Sequence, residues 1–148
     1  KPLSYHLELG ARLAALQDRD VLVVASGNVV HNLRAVRWNQ PDFAFDWAER
    51  FDEAAVNQLA KNPGDLLRLV EHPDYAAAVP TPDHFVPLLY LAGMAVARNE
   101  TLDPLVRGYS MGSVSMTCYG LGTEGLACSE KTGAANLPSD VPADQTNT

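Results

Sequence analysis

Asp20-Val21-Leu22-Val23-Val24-Ala25-Ser26-Gly27-Asn28 is the stretch that decides the fold. Residues 21–25 form an unbroken run of β-branched and aliphatic side chains, the pattern of a strand buried on both faces, as in a parallel sheet. Ser26, Gly27 and Asn28 are turn residues and end it. Upstream, Leu9, Leu13 and Leu16 recur at helical spacing, with Arg12, Gln17 and Asp18 on other faces. That spacing predicts an amphipathic helix over residues 4–17. Helix, short loop, buried strand and glycine turn in succession point to an α/β fold, a central mixed sheet flanked by helices.

Downstream, Phe43, Trp47, Phe51, Ala54 and Ala55 share one face of a second predicted helix, residues 43–61, while Glu49, Arg50, Glu53 and Asn57 lie elsewhere. Asn62-Pro63-Gly64-Asp65 breaks it, and Asp65 is placed to cap a short segment over 66–70. His72-Pro73-Asp74 marks another boundary. Thr81-Pro82-Asp83 reads as a helix start, with Phe85, Leu88, Leu89 and Ala92 as the apolar stripe that follows. Pro87 lacks an amide donor, so either this helix kinks or a short turn carries His84 and the helix begins near Pro87. Residues 107–111 and 113–119 read as strands around Gly112, with Tyr109, Met111, Met116 and Tyr119 as core filling. Beyond Gly122 the pattern dissolves, and residues 130–148 are almost free of large apolar side chains. The chain therefore divides into an α/β portion, 1–122, and a polar, disordered tail, 123–148.

Composition narrows the function classes. Of 148 residues, 47% are hydrophobic and 20% charged, enough apolar material for a buried core. Eleven Lys and Arg against eighteen Asp and Glu give a net charge of -7 with no basic run, which argues against a nucleic-acid partner. No segment approaches the ~20 apolar residues needed to span a bilayer, so no membrane partner is expected. Lys1-Pro2-Leu3-Ser4 leads straight into the first helix and does not read as a signal peptide. With no initiator Met, the chain is expected to begin partway through a longer protein. Cys118, in an apolar run, and Cys128, in the polar tail, make no disulfide framework; they read as reduced thiols of a cytoplasmic protein.

Four histidines offer the main chemistry: His6, His31, His72 and His84. His31 follows the buried strand and the Gly27 turn, and ligands collect beyond the carboxyl ends of strands in open α/β sheets. The competing reading is a loop histidine bonded to a main-chain carbonyl. His84 falls near a helix N-terminus, where the helix dipole disfavours imidazolium and so suits a neutral metal ligand. A solvent-facing first-turn residue would occupy the same place, and spacing does not choose between the two. His6 reads as a helix surface or boundary residue and His72 as a turn residue. Ser26-Gly27 is not a nucleophile elbow, and Gly27 alone is no phosphate loop.

The residues around both histidines carry a resemblance. Ser26-Gly27-Asn28-Val29-Val30-His31-Asn32-Leu33 resembles the SGxxxHNL motif of class III extradiol ring-cleavage dioxygenases, in the 4,5-DOPA dioxygenase-like branch. Residues 80–89, Pro80-Thr81-Pro82-Asp83-His84-Phe85-Val86-Pro87-Leu88-Leu89, resemble that branch's second histidine motif. Residues 110–116, from Ser110 to Met116, resemble its closing strand. Phe45-Asp46-Trp47-Ala48 and Phe51 fit the segment between, and the likeness runs in order from about Leu7 to Gly122.

The resemblance implies an α/β domain holding a mononuclear non-haem metal, most often Fe(II), with Zn(II) as the alternative. It implies a catechol-type substrate such as DOPA, opened beside its diol with both atoms of O₂ incorporated. Two metal-binding histidines of that family lie in N-terminal motifs that this chain lacks, so the chain resembles a C-terminal portion, inactive alone. The resemblance makes His84 the remaining metal ligand and His31 first the acid/base residue, second a ligand. A histidine of pKa near ~6.5 can accept the proton of a metal-acidified catechol hydroxyl and return it. Two rivals stand beside this reading: a zinc-dependent hydrolase on the same scaffold, and a truncated, non-catalytic homologue acting as a binding protein.

Overall fold

The computed structural model describes residues 1–123 and Ser129–Glu130. Cys128 and most of the expected tail, residues 124–128 and 131–148, lie outside the described residues. The described chain is α/β: four α-helices, three 3₁₀ segments and two small sheets.

Helix α1 spans Leu3–Leu13 and continues as a 3₁₀ segment, Ala14–Arg19. Asp20 closes this run in the left-handed conformation, its amide bonding the Gln17 and Leu16 carbonyls. Helix α2 covers Asp46–Lys61, starting three residues later than the apolar spacing suggests. Phe43 and Phe45 are withheld from it because their backbones bridge to Gly112: the Gly112 amide donates to Phe43 O at 2.7 Å, and Phe45 N donates to Gly112 O at 2.9 Å. Gly112 has φ of +87°, and a Cβ there would strike both phenyl rings, so glycine is required. Pro63–Glu71 is a 3₁₀ segment; Asp65 pairs with Arg68 at 3.4 Å instead of capping it. Helix α3, Tyr75–Ala78, is one turn, and helix α4 spans Val86–Arg98. Pro87 falls within the first turn of α4, where a missing amide costs no hydrogen bond. Of the two readings of Pro87, a separate turn carrying His84 is therefore the one observed.

Strands β1 (Asp103–Arg107), β4 (Cys118–Gly120) and β5 (Ser129–Glu130) form a mixed sheet in the order β4-β1-β5, antiparallel then parallel. The β5 pairing falls inside the segment expected as disordered tail. Strands β2 (Tyr109–Ser110) and β3 (Val114–Ser115) make an antiparallel ribbon turned at Met111 and Gly112. The core lies between α2, α4 and the 3₁₀ segment that joins α2 to α3, around the fully buried Phe51, Leu59, Leu66, Phe85 and Leu89.

One expectation fails. The run Val21-Leu22-Val23-Val24-Ala25 joins no strand ladder, and Leu22 and Val24 are 86% and 79% exposed. A strand buried on both faces needs a paired neighbour on each edge, and among the described residues no strand pairs with it. Side chains suited to a sheet interior, Leu22 and Val24 above all, are left facing solvent.

Helices α1 and α4 approach backbone to backbone. A Cβ at Gly93 would collide with the Leu7 carbonyl and the Ala11 amide, and one at Gly10 with the Tyr90 backbone. The His6 ring seals this contact through Nδ1 to the Tyr90 hydroxyl at 2.8 Å. The Gly93→Ala substitution is expected to cost about 1–3 kcal/mol, the usual penalty for overpacking, because only backbone surrounds the added methyl. A urea midpoint unchanged from wild type contradicts this packing.

Candidate active site

Residues 26–32 are held by three elements at once. The Asn28 amide donates to the His84 carbonyl at 3.0 Å. Gly27 sits against the same carbonyl so closely that a Cβ would collide with it and crowd the Pro87 ring. The glycine of the SGxxxHNL segment therefore serves a close approach to the turn that carries His84. From the other side, β3 grips the segment: Asn28 Nδ2 donates to Ser115 O at 2.8 Å, Val30 N to Ser115 Oγ at 3.1 Å, and Ser115 N to Val30 O at 3.0 Å. His31 bridges Val114, and its amide donates to the Ala78 carbonyl at the end of α3 at 2.9 Å. Asn32 completes the clamp, with Nδ2 donating to Ala77 O and the backbone amide to Ser113 O.

This clamp brings two histidines together from distant parts of the sequence. The His31 and His84 rings stack with centroids 3.5 Å apart and planes inclined by 13°. Burial first, and the neighbouring His84 second, lower the His31 pKa below its ordinary value; Asp83 opposes them. His84 Nε2 lies 3.6 Å from Asp83 Oδ2, and the His84 side chain is 40% exposed.

The stack bears on metal binding. An imidazole nitrogen binds a metal in the plane of its own ring. With near-parallel planes and centroids 3.5 Å apart, the lone pairs of the two rings run in near-parallel planes and do not converge on one point. The arrangement suits one ligand and one neighbouring proton-transfer group, and opposes both rings binding one ion without rotating. Among the described residues no group of three or more His, Cys, Asp or Glu side chains converges as a complete ligand set. The donors present fit part of a nitrogen and oxygen site for Fe(II) or Zn(II), not the whole of one.

The other two histidines stay apart. His6 bonds Tyr90, and His72 accepts the Asp74 amide on Nδ1 at 3.2 Å while its ring meets the edge of Phe51. A cavity of about 310 Å³ adjoins His84, lined by Val24, Asn28, Leu88, Met116 and Tyr119 among others. Met116 and Tyr119 thus wall a cavity, where the sequence suggested plain core filling. Cys118, on β4, is an exposed free thiol. Among the described residues no helix is long and apolar enough to cross a membrane.

Asn28, Ser115 and the buried Asp52 of α2 were not singled out by sequence reasoning. Asp52 alone left a signal: it occupies the buried face of α2 with Ala48, Phe51, Ala55 and Leu59, an acid on an apolar stripe.

In metal-free protein the His31 ring is expected to titrate below 6.5, its ordinary value. Its depressed pKa contributes stability that is present above 6.5 and lost as pH falls through the folded-state value. An NMR titration of the ring settles it; a midpoint above 6.5 contradicts the stacked, partly buried placement.

Comparison with known proteins gives the family. Residues 1–121 match the family model described as the catalytic LigB subunit of aromatic ring-opening dioxygenase. The chain is 40% identical over 126 residues to the 4,5-DOPA dioxygenase extradiol of Escherichia coli K12, covering 82% of this chain and 46% of that protein. It is 28% identical over 118 residues to the 4,5-DOPA dioxygenase extradiol of Beta vulgaris, covering 78% and 43%. The crystal structure of an uncharacterized protein from Escherichia coli K12 superposes with a TM-score of 0.73 at 38% identity, covering 80% of this chain and 50% of that one. The chain spans about half the length of the curated relatives it matches. With the motifs, the fold and the family model in agreement, this chain belongs to the LigB family of aromatic ring-opening dioxygenases.

Proposed function

We propose that this chain forms the His31 and His84 side of an extradiol dioxygenase active site that opens a catechol such as DOPA. The observation that carries the reading is the stack of His31 on His84, two rings from separate motifs locked together by the Gly27 contact. In this reading His84 holds the metal, Fe(II) in preference to Zn(II), together with protein ligands from outside this chain. The bound metal supplies Lewis acidity toward the catechol hydroxyls and a site for O₂.

His31 carries the proton. Its lowered pKa keeps the ring neutral near neutral pH, ready to accept a proton from a catechol hydroxyl. The same lowered pKa makes the protonated ring a ready donor, with Asp83 the one nearby carboxylate that favours the charged form. The same ring can then return it as the ring-opened product forms. Stacking fixes His31 beside the ligand position, which removes the entropy of finding that geometry during turnover.

The test is oxygen uptake by the full-length protein with Fe(II) and a panel of catechols including DOPA. Substrate-dependent uptake is expected, and its absence across the panel defeats the catalytic reading. His31→Ala is expected to lower kcat by about 10²–10⁴-fold, the usual share of general acid–base catalysis, while iron content stays close to wild type. His84→Ala is expected to lose iron. Iron lost in proportion to activity in His31→Ala would instead make His31 chiefly a ligand.

A further inference from the structure

Residues 36–45 run from the short 3₁₀ turn Leu33–Ala35 to the start of α2, folded back on the turn between β2 and β3. Arg37 N donates to Met111 O at 2.8 Å, Met111 N to Pro41 O at 3.0 Å and Gln40 N to Arg37 O at 2.8 Å. At the far end, Gly112 pins the backbones of Phe43 and Phe45 with one bond each. The course of this loop is therefore set in advance of any ligand.

The loop walls an open cleft of about 600 Å³, within the usual range for small-molecule sites. Arg37, Trp38, Asn39, Gln40, Phe43 and Phe45 line it. Trp38 is 74% exposed, although an indole carries a large apolar surface. The Arg37 guanidinium lies over the Phe45 ring, 5.6 Å from its centroid. Such stacking uses the flat face of the guanidinium and leaves its N–H donors in the plane. Arg50, Arg68, Arg98 and Arg107 each meet a carboxylate, but among the described residues Arg37 meets none. No carboxylate lines the cleft, so Arg37 is its one charged group.

These features select a ligand. The guanidinium fork matches a planar carboxylate. A single cation offsets a monoanion more fully than a phosphate dianion. Trp38 and Phe43 offer faces to an aromatic ring, and the amides of Asn39 and Gln40 can meet polar substituents on it.

We propose that the loop 37–45 forms a further binding site, for an aromatic monocarboxylate, with Arg37 holding the carboxylate and Trp38 covering the ring. The site goes beyond the extradiol reading and stands without it, because neither His31 nor His84 lines the cleft.

The test is a proton–nitrogen NMR titration of the full-length protein with phenylacetate, with its neutral isostere phenylacetamide as control. Phenylacetate is expected to shift the Trp38 indole and Arg37 Nε signals with a Kd of about 5 mM or tighter, as a ligand of this size allows. The His31 and His84 ring signals are expected to stay in place. Phenylacetamide should bind about tenfold more weakly, for want of the charge-assisted pair. Arg37→Gln is expected to remove that preference, weakening phenylacetate about tenfold and leaving phenylacetamide unchanged. Trp38→Ala is expected to weaken both probes by about threefold or more. Both side chains are exposed, so neither variant is expected to disturb the fold. Equal affinity for the two probes, a preference that survives Arg37→Gln, or shifts at His31 and His84 in place of Trp38 overturns the proposal. So does silence at Trp38 up to about 20 mM phenylacetate. A Trp38 signal that changes with protein concentration before any probe is added also overturns it, and gives this face to a second copy of the chain.

Discussion

The backbone contact between Gly27 and the His84 carbonyl is the constraint from which the site follows. Gly27 has no side chain, so the turn after residues 21–25 can lie directly on the turn before α4, and the Asn28 amide bonds the His84 carbonyl at 3.0 Å. That one hydrogen bond fixes the distance between two segments far apart in sequence. Everything next to it inherits the fix: His31, three residues on, reaches ring-stacking distance of His84, and Ser115 closes the other side. A methyl group at Gly27 would have only backbone and a proline ring to displace, so the contact has little room to adjust.

Much of this was legible in the sequence, and for identifiable reasons. Helix α2 and the placement of His84 in a turn before α4 follow from local rules, namely apolar spacing and the tolerance of proline in a first helical turn. The pairing of His31 with His84 came from motif resemblance; spacing alone left both open. The hydrogen bonds of Asn28 and Ser115 were not legible, because they join residues distant in the chain and polar side chains carry no periodic signal of their partners. Asp52 was readable only as an acid on an apolar stripe, without its donors.

The run at residues 21–25 failed for a different reason. Its composition does specify a sheet interior, but a ladder needs partners, and the described strands pair elsewhere. Leu22 and Val24 are exposed, and among the described residues no set of three metal donors converges. The cavity beside His84 is walled in part by Val24, one of these exposed residues.

Near-parallel rings 3.5 Å apart do not aim both lone pairs at one ion, which is the observation behind the proposed division of roles between a ligand and a proton carrier. The most direct measurement is nitrogen NMR of the histidine rings in the full protein as diamagnetic Zn(II) is added. His84 is expected to take a metal-bound shift and cease to titrate, while His31 goes on titrating with pH. If both rings stop titrating together, or if His84 stays free, the division of roles between them is wrong.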